Sequence, residues 1–193
     1  MRIISGKYQK IILKCMMGDN TRPTLDRIKE TVFNILNNYI YFEELHKVVD
    51  LYAGSGALGI ECISRGAQTV DFIDKNIEAY NIINTNINSL KGLDREKINI
   101  YNMDANIYLN KLKQEKITAD LFFLDPPFKQ DISKVVEYIL QEKLLSENGI
   151  IYYETDDEKY LSKIVEIINE YNLTILKQKK MGRINILIVA NIL

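Results

Sequence analysis

Two stretches of the 193-residue chain combine residue types able to do chemistry. The first is Leu124-Asp125-Pro126-Pro127-Phe128. Consecutive prolines lack N–H donors and fix φ, so they end a strand and hold a rigid backbone whose carbonyl oxygens are free to accept. The Asp125 carboxylate and the Pro126 carbonyl then form a pair of acceptors, suited to the exocyclic amino group of a purine or cytosine. The lone pair of such an amine is delocalised into the ring, which makes the nitrogen a poor nucleophile. Accepting both N–H bonds draws it towards tetrahedral geometry and aims the lone pair at an electrophilic methyl. Phe128 offers a ring for the base, as aromatic residues do with unstacked nucleotides. Catalysis of this kind is mostly positioning. Asp125 either takes the released proton or acts only as an acceptor, and the sequence leaves both open. Without a ligand, the same residues would be a Pro-Pro turn with Phe128 in the core.

The second stretch is Asp50-Leu51-Tyr52-Ala53-Gly54-Ser55-Gly56-Ala57-Leu58-Gly59, placed where a first strand turns into a helix. Glycines there allow a tight turn and close approach of backbone to a ligand. Gly54-x-Gly56-x-x-Gly59, with Asp74 twenty positions after Gly54, matches the dinucleotide fingerprint. By itself it does not separate NAD from S-adenosylmethionine, since both lay an adenosine over the end of the second strand. Asp50 favours the latter: a nearby carboxylate repels a pyrophosphate and attracts an ammonium and a sulfonium. The cofactor-binding set is therefore Asp50, Tyr52, Ala53, Gly54, Ser55, Gly56, Gly59 and Asp74, joined by Asp104. Asp104 follows the third strand and either reaches the adenine amino group or caps the next helix.

These residues need a scaffold that brings strand ends to one edge. The runs Val48–Tyr52, Thr69–Asp74, Ile98–Asn102, Leu121–Asp125 and Ile150–Glu154 read as strands, alternating with amphipathic stretches. One of those stretches carries Ile77, Tyr80, Ile83, Ile87 and Leu90 at helical spacing. Such alternation predicts a parallel sheet with helices on both faces and ligands at the carboxyl edge. After a helical stretch at Lys159–Tyr171, the runs Thr174–Gln178 and Ile184–Ile192 predict a closing antiparallel hairpin. Residues 1–40 are organised differently. Arg2–Ser5 and Lys10–Lys14 are expected to pair across Gly6-Lys7, and a helix follows Pro23 with Thr24 as N-cap. Its apolar positions are Leu25, Ile28, Val32, Ile35 and Tyr39. The expectation is a small hairpin-helix appendage over 1–40 and a Rossmann-like methyltransferase domain over 41–193, with a mostly parallel seven-stranded sheet.

Composition narrows the classes. No apolar run is long enough for a transmembrane helix and the N-terminus lacks a secretory signal, so a cytoplasmic chain is expected. Cys15 and Cys62 follow no metal spacing and read as reduced thiols, and no metal site is expected. Lone His46 reads as a boundary residue, and Asp156-Asp157-Glu158 as the solvated start of a helix. The net charge of −1 hides an uneven distribution, +4 over residues 1–30 and hence −5 over the rest. Lys177, Lys179, Lys180 and Arg183 form a second basic cluster. Two such patches either follow a phosphate backbone or are simply solvated.

Taken together, Arg2-Ile3-Ile4-Ser5-Gly6, the segment Thr21-Arg22-Pro23-Thr24-Leu25-Asp26-Arg27-Ile28-Lys29-Glu30-Thr31-Val32-Phe33-Asn34, Asp50 to Glu61 and Asp125 to Phe128 resemble the RsmD family over nearly the full length. These are bacterial 16S ribosomal RNA guanine-N2 methyltransferases. The Arg-Pro-Thr-x-x-Arg segment is the most specific part, since the glycine loop and Asp-Pro-Pro-Phe occur across many amino-methyltransferases. The resemblance implies methyl transfer from S-adenosylmethionine, with S-adenosylhomocysteine as product, to a guanine N2 of 16S rRNA (guanine-966 type) on the 30S subunit. It implies a monomer without a separate RNA-binding domain, so that recognition falls to the N-terminal segment and the basic hairpin. RNA contact would come from Arg22, Thr24, Arg27 and Lys29; Arg22 and Arg27 are also placed to pair with Asp26 or Glu30. Ser5 stands where the family commonly has glycine, and Asp74 where it often has glutamate. Two rivals are a DNA adenine-N6 or cytosine-N4 methyltransferase and an NAD-dependent oxidoreductase, the latter leaving Asp125-Pro126-Pro127-Phe128 unexplained. A non-catalytic RNA-binding relative is a third.

Overall fold

Parallel neighbours need a crossover that returns the chain to the same edge, and helices supply it here. The computed structural model describes residues 1–16, 23–127 and 129–192. Its strands are β1 (Val48–Asp50), β2 (Val70–Asp74), β3 (Ile98–Asn102), β4 (Ala119–Leu124), β5 (Leu145–Thr155), β6 (Thr174–Met181) and β7 (Ile184–Ala190). The helices are α1 (Pro23–Leu36), α2 (Ala57–Ser64), α3 (Ile77–Asn88), α4 (Ala105–Glu115), α5 (Ser133–Gln141) and α6 (Glu158–Glu170). The seven-stranded sheet has the order β3-β2-β1-β4-β5-β7-β6. β1–β2, β2–β3 and β4–β5 pair in parallel, whereas β5–β7 and β6–β7 are antiparallel. This is the mostly parallel, Rossmann-like sheet with an antiparallel closing hairpin that the alternation predicts. Two compact units make up the chain, Met1–Asp104 and Ala105–Leu193.

In the first unit, the hairpin expected over residues 2–14 is reduced to a single antiparallel bridge, Arg2 with Ile12. Ile3 N donates to Ile11 O and Lys10 N to Ile3 O, each at 2.9 Å, but no longer ladder forms. The reason lies in competing partners on α2. Both oxygens of the fully buried Glu61 carboxylate each take one backbone amide and one cation. Oε2 accepts from Ile4 N at 2.8 Å and pairs with Lys29 Nζ at 3.1 Å. Oε1 accepts from Ser5 N and from Arg65 Nε, both at 3.0 Å. Lys29 Nζ also donates to Arg2 O at 2.7 Å. One carboxylate thus joins the N-terminal segment, α1 and α2. Gly6 is required by this docking: its φ is +85°, and an added Cβ would lie 1.8 Å from the Ser64 carbonyl oxygen.

α1 begins at Pro23, two residues before the Leu25 that a Thr24 cap would make its first position. Pro23 occupies its first position, where a missing N–H is harmless, so Thr24 falls inside the first turn and is not the cap. Ile28, Val32, Phe33 and Leu36 form its buried stripe; the helix ends at Leu36 and leaves Tyr39 exposed. Phe33 stacks on Phe42 at 5.5 Å, and the Arg65 guanidinium lies 4.8 Å and 5.4 Å from the two ring centroids.

In the second unit, β7 is buried along its whole length and β6 forms an exposed edge, the two joined through Gly182-Arg183 with Gly182 at φ +63°. β5 starts earlier than expected, at Leu145. Its polar run Ser146-Glu147-Asn148-Gly149 forms an irregularity in the pairing with β4, Asn148 adopting φ +61°. Asp157 caps α6, accepting from Lys159 N at 2.8 Å and Tyr160 N at 3.4 Å.

Removing Glu61 strands a buried ammonium and two part-buried amides. Glu61→Ala is therefore expected to lower unfolding stability by about 3–5 kcal/mol, the range for breaking a buried ion pair from one side. Urea unfolding of the variant and of Lys29→Met/Glu61→Leu tests this; the double variant should recover part of the loss.

Candidate active site

At the end of β1 the chain must turn back into α2 within a few residues. Gly54 and Gly56 make that turn at φ +53° and +77°, and Gly56 N closes it on Ala53 O at 2.6 Å. Gly59 lies against the sheet, where an added Cβ would stand 2.4 Å from the Phe72 ring. Two aspartates hold the turn from outside. Asp74, at the end of β2, accepts from Gly54 N at 2.9 Å and from Asn76 N at 2.8 Å. Asp50, at the end of β1, accepts from Gly59 N at 3.0 Å and so satisfies a free amide in the first turn of α2.

Asp50 is only 1% exposed. Burial drives its pKa from 3.8 to about 7; the Gly59 bond opposes the rise and the Asp74 charge adds to it. From sequence, Asp50 is expected to attract a cationic ligand to the pocket. In the structure its hydrogen bond is to the loop itself, a shaping role that the residue order alone does not reveal.

Tyr52, Ala53 and Ser55 complete the loop: Tyr52 is half-buried, and the other two are buried. Ala53 N donates to Ile73 O at 3.0 Å, and Ser55 O accepts from Asn86 Nδ2 at 2.9 Å. A Cβ built on Gly54 would meet nothing within 4 Å, so the loop is open at that point. Next to this opening stands the half-buried Asp74 carboxylate. Asp104 follows β3 on the same edge, and Met103 N donates to Asp74 O at 3.2 Å. An open glycine turn flanked by carboxylates suits a cationic, adenosine-bearing ligand, and S-adenosylmethionine fits this donor set better than a pyrophosphate.

In the second unit, Asp125 directly follows β4 and is exposed, Pro126 is buried and Pro127 exposed. The Pro127 carbonyl is already engaged, accepting from Gln130 N at 3.1 Å, whereas among the described residues no backbone amide donates to the Pro126 carbonyl. Lys129 continues the turn at φ +64°, and its carbonyl accepts from Tyr160 Oη at 3.2 Å. Phe128 lies outside the described residues. Sequence reading missed Tyr152 and Glu154 on β5, whose side chains hydrogen-bond to each other beside this turn. Their i, i+2 spacing on a strand was the available signal, hidden because an apolar run such as Ile150–Glu154 reads as core.

Of the residues expected to meet RNA, Arg27 is exposed, Arg22 lies outside the described residues, and so does the Thr24 side chain. Lys29 is a correction: it is 3% exposed, with Nζ committed to Glu61 and the Arg2 carbonyl, and has no face for a phosphate. Burial lowers its pKa against the opposing pull of Glu61. His46 is exposed and meets Gln68 Oε1 at 2.9 Å. Cys15 and Cys62 are free thiols, and no group of three metal-ligating side chains exists among the described residues. Nor is any helix among them long and apolar enough to cross a membrane.

The raised pKa of Asp50 has a consequence for stability. Between about pH 4 and pH 7 the unfolded chain releases a proton that the folded chain keeps, so this group reduces stability as pH rises through that window. Asp50→Asn retains an acceptor for Gly59 N and abolishes the titration. Its stability relative to the natural chain should rise from pH 4 to pH 8 by an amount on the order of a few kcal/mol, read from urea midpoints; a pH-independent difference would contradict the assignment.

The family model described as "Conserved hypothetical protein 95" matches residues 1–190. The chain is 33% identical over 192 residues to the Ribosomal RNA small subunit methyltransferase D of Haemophilus influenzae, covering 99% of this chain and 94% of that one. A solved structure from the same organism, provisionally described as a methylase, is 32% identical with a TM-score of 0.75 and coverage of 100% and 98%. One from Escherichia coli, provisionally described as a methyltransferase, is 26% identical with a TM-score of 0.79 and coverage of 98% and 97%. With a match over nearly every residue, and with the glycine loop and the Asp-Pro-Pro turn both at strand ends, the chain belongs to the conserved hypothetical protein 95 family, which is the RsmD family.

Proposed function

We propose that this chain transfers a methyl group from S-adenosylmethionine to the exocyclic N2 of a guanine in 16S rRNA, acting in the cytoplasm as a monomer on the 30S subunit. The observation that carries the reading is the exposed Asp125 at the end of β4, followed by a buried Pro126 whose carbonyl is the acceptor left by the turn. The similarity to a protein named for small-subunit ribosomal RNA methylation supports the substrate. Gly54, Asp74 and Asp104 would hold the cofactor, which supplies a methyl already activated on a sulfonium. Asp50, Ser55, Gly56 and Gly59 keep the loop in the shape that receives it.

Asp125 and the Pro126 carbonyl accept the two N–H bonds of the target amine, fixing the nitrogen and localising its lone pair. The carboxylate also stabilises the positive charge that grows on that nitrogen as it is alkylated. Residues 1–40 act as the RNA-facing appendage, with Arg22 and Arg27 directed to phosphates or to the cofactor.

The test is methyl transfer from labelled S-adenosylmethionine to 30S subunits lacking the modification, with naked 16S RNA and duplex DNA alongside. N2-methylguanine on 30S, reduced by about a hundredfold or more in Asp125→Ala with S-adenosylhomocysteine binding retained, is the expected result. N6-methyladenine in DNA would overturn the substrate while leaving the amine chemistry in place. Unchanged transfer by Asp125→Ala would overturn the mechanism.

A further inference from the structure

The Asp-Pro-Pro turn explains how an amine is held, but adenine, cytosine and guanine all carry one. What differs is the ring atom beside it. Next to the amine, adenine N1 and cytosine N3 are acceptors, whereas guanine N1 carries a hydrogen and donates. A second fixed acceptor beside Asp125 would therefore welcome guanine and repel the other two.

β5 supplies such a group. β4 and β5 are parallel with Phe123 opposite Tyr152 and Leu124 opposite Tyr153, a register whose next step sets Asp125 beside Glu154. Partners in such a pair project from the same face, and the edge-on contact of the Phe123 and Tyr152 rings at 5.7 Å shows it here. Glu154 is 9% exposed, and its Oε2 accepts from the Tyr152 hydroxyl. On its other side β7 places Ile186 opposite it. No cation pairs with Glu154 among the described residues. Burial raises its pKa, opposed by the tyrosine bond. The Tyr152 hydroxyl is held from ionising by burial first, then by the charges of Glu154 and Asp125, so both carboxylates lie within electrostatic reach of this one hydroxyl. A buried carboxyl without a counter-charge is costly to a fold, which makes an incoming donor its natural complement.

We propose that Glu154, held by Tyr152, accepts the N1–H of the target guanine while Asp125 and Pro126 hold its N2 amine, and so selects guanine over adenine and cytosine. The inference rests on the guanine-N2 reading above. Glu154 acts as the specificity-determining acceptor and Tyr152 as its positioning residue.

The discriminating probe is 2-aminopurine, which keeps the amine at C2 but has an unprotonated N1. 30S subunits carrying guanosine or 2-aminopurine riboside at the target position are compared in single-turnover methyl transfer, with thermal midpoint and S-adenosylhomocysteine affinity measured in parallel. The natural chain should prefer guanosine by about 5- to 150-fold, the discrimination of a well-made base contact. Glu154→Leu should lose that preference by slowing on guanosine alone, and Glu154→Gln should keep part of it. Tyr152→Phe/Glu154→Leu removes the orphaned hydroxyl and should show the same lost preference if the single variant is unstable. Equal slowing on both bases, or an unchanged preference, in a folded variant would overturn the role of Glu154. Should the natural chain methylate neither base while transferring to another nucleotide, the guanine-N2 reading itself fails and this inference with it.

Discussion

Much of the first unit hangs on the Glu61 carboxylate. Four groups from three parts of the chain converge on it: the Ile4 and Ser5 amides, Lys29 from α1 and Arg65 from its own helix. Neither cation alone would satisfy four lone-pair positions, and neither amide alone would justify burying a charge. Together they make burial tolerable, because an ion pair in a low-dielectric interior holds only when its remaining hydrogen-bonding capacity is filled. Glu61 lies two residues beyond Gly59, on the helix that the glycine loop opens. The N-terminal segment is therefore fastened to the element that fixes the loop, and Ser64 adds to the fastening by accepting Lys7 N on its carbonyl at 2.7 Å and Tyr8 N on its hydroxyl at 3.0 Å.

The loop in turn is set by two carboxylate–amide bonds made before any ligand arrives. Asp74 ties Gly54 from β2, and Asp50 ties Gly59 from β1. Preorganisation of this kind lowers the ordering cost of binding. The two bonds differ in what they leave over. Asp74 remains half-exposed and can serve a ligand as well as the loop, whereas Asp50 is closed off by the turn it stabilises. The Asp74 charge also pushes the buried Asp50 towards its protonated state, a tension that a cationic ligand relieves.

The sequence made the strand order of types legible because strand and helix periods alternate cleanly from Val48 onward. It also located the two motifs, since each depends on local rules: glycines at a strand–helix turn, and prolines that cannot extend a strand. What it could not show was tertiary competition. The segment 2–14 has the alternation of a hairpin, yet its amides turn to Glu61 and Ser64 because a buried carboxylate outbids a ladder bond. Lys29 looked like one more basic residue in a positive segment until α1 was packed on α2. Glu154 was hidden for the opposite reason: a carboxylate at the end of Ile150-Ile151-Tyr152-Tyr153 looks like the solvent-facing end of a core strand, and only the continued pairing with β7 buries it.

The same distinction alters what the charge distribution means for a polyanionic partner. Composition assigns +4 to residues 1–30, but a basic side chain follows a phosphate backbone only if it is exposed and uncommitted. Lys29 is neither. Arg2 faces Asp26, with Nε 3.8 Å from the carboxylate, and Lys7 Nζ donates to Gly92 O at 2.9 Å. Lys10, Lys14 and Arg27 remain exposed within the described part of the segment. On β6, Lys180 pairs with Glu158 while Lys177 and Lys179 are exposed. Surface pairs of this kind are weak and exchangeable, because water screens a solvated ion pair, so Arg2 and Lys180 can be recruited by a phosphate at little cost. Lys29 cannot, because withdrawing it would leave Glu61 buried and unbalanced. The basic surface is therefore smaller than composition implies, yet it is graded. Some charges are free, some are lent to exposed acids, and one belongs permanently to the fold.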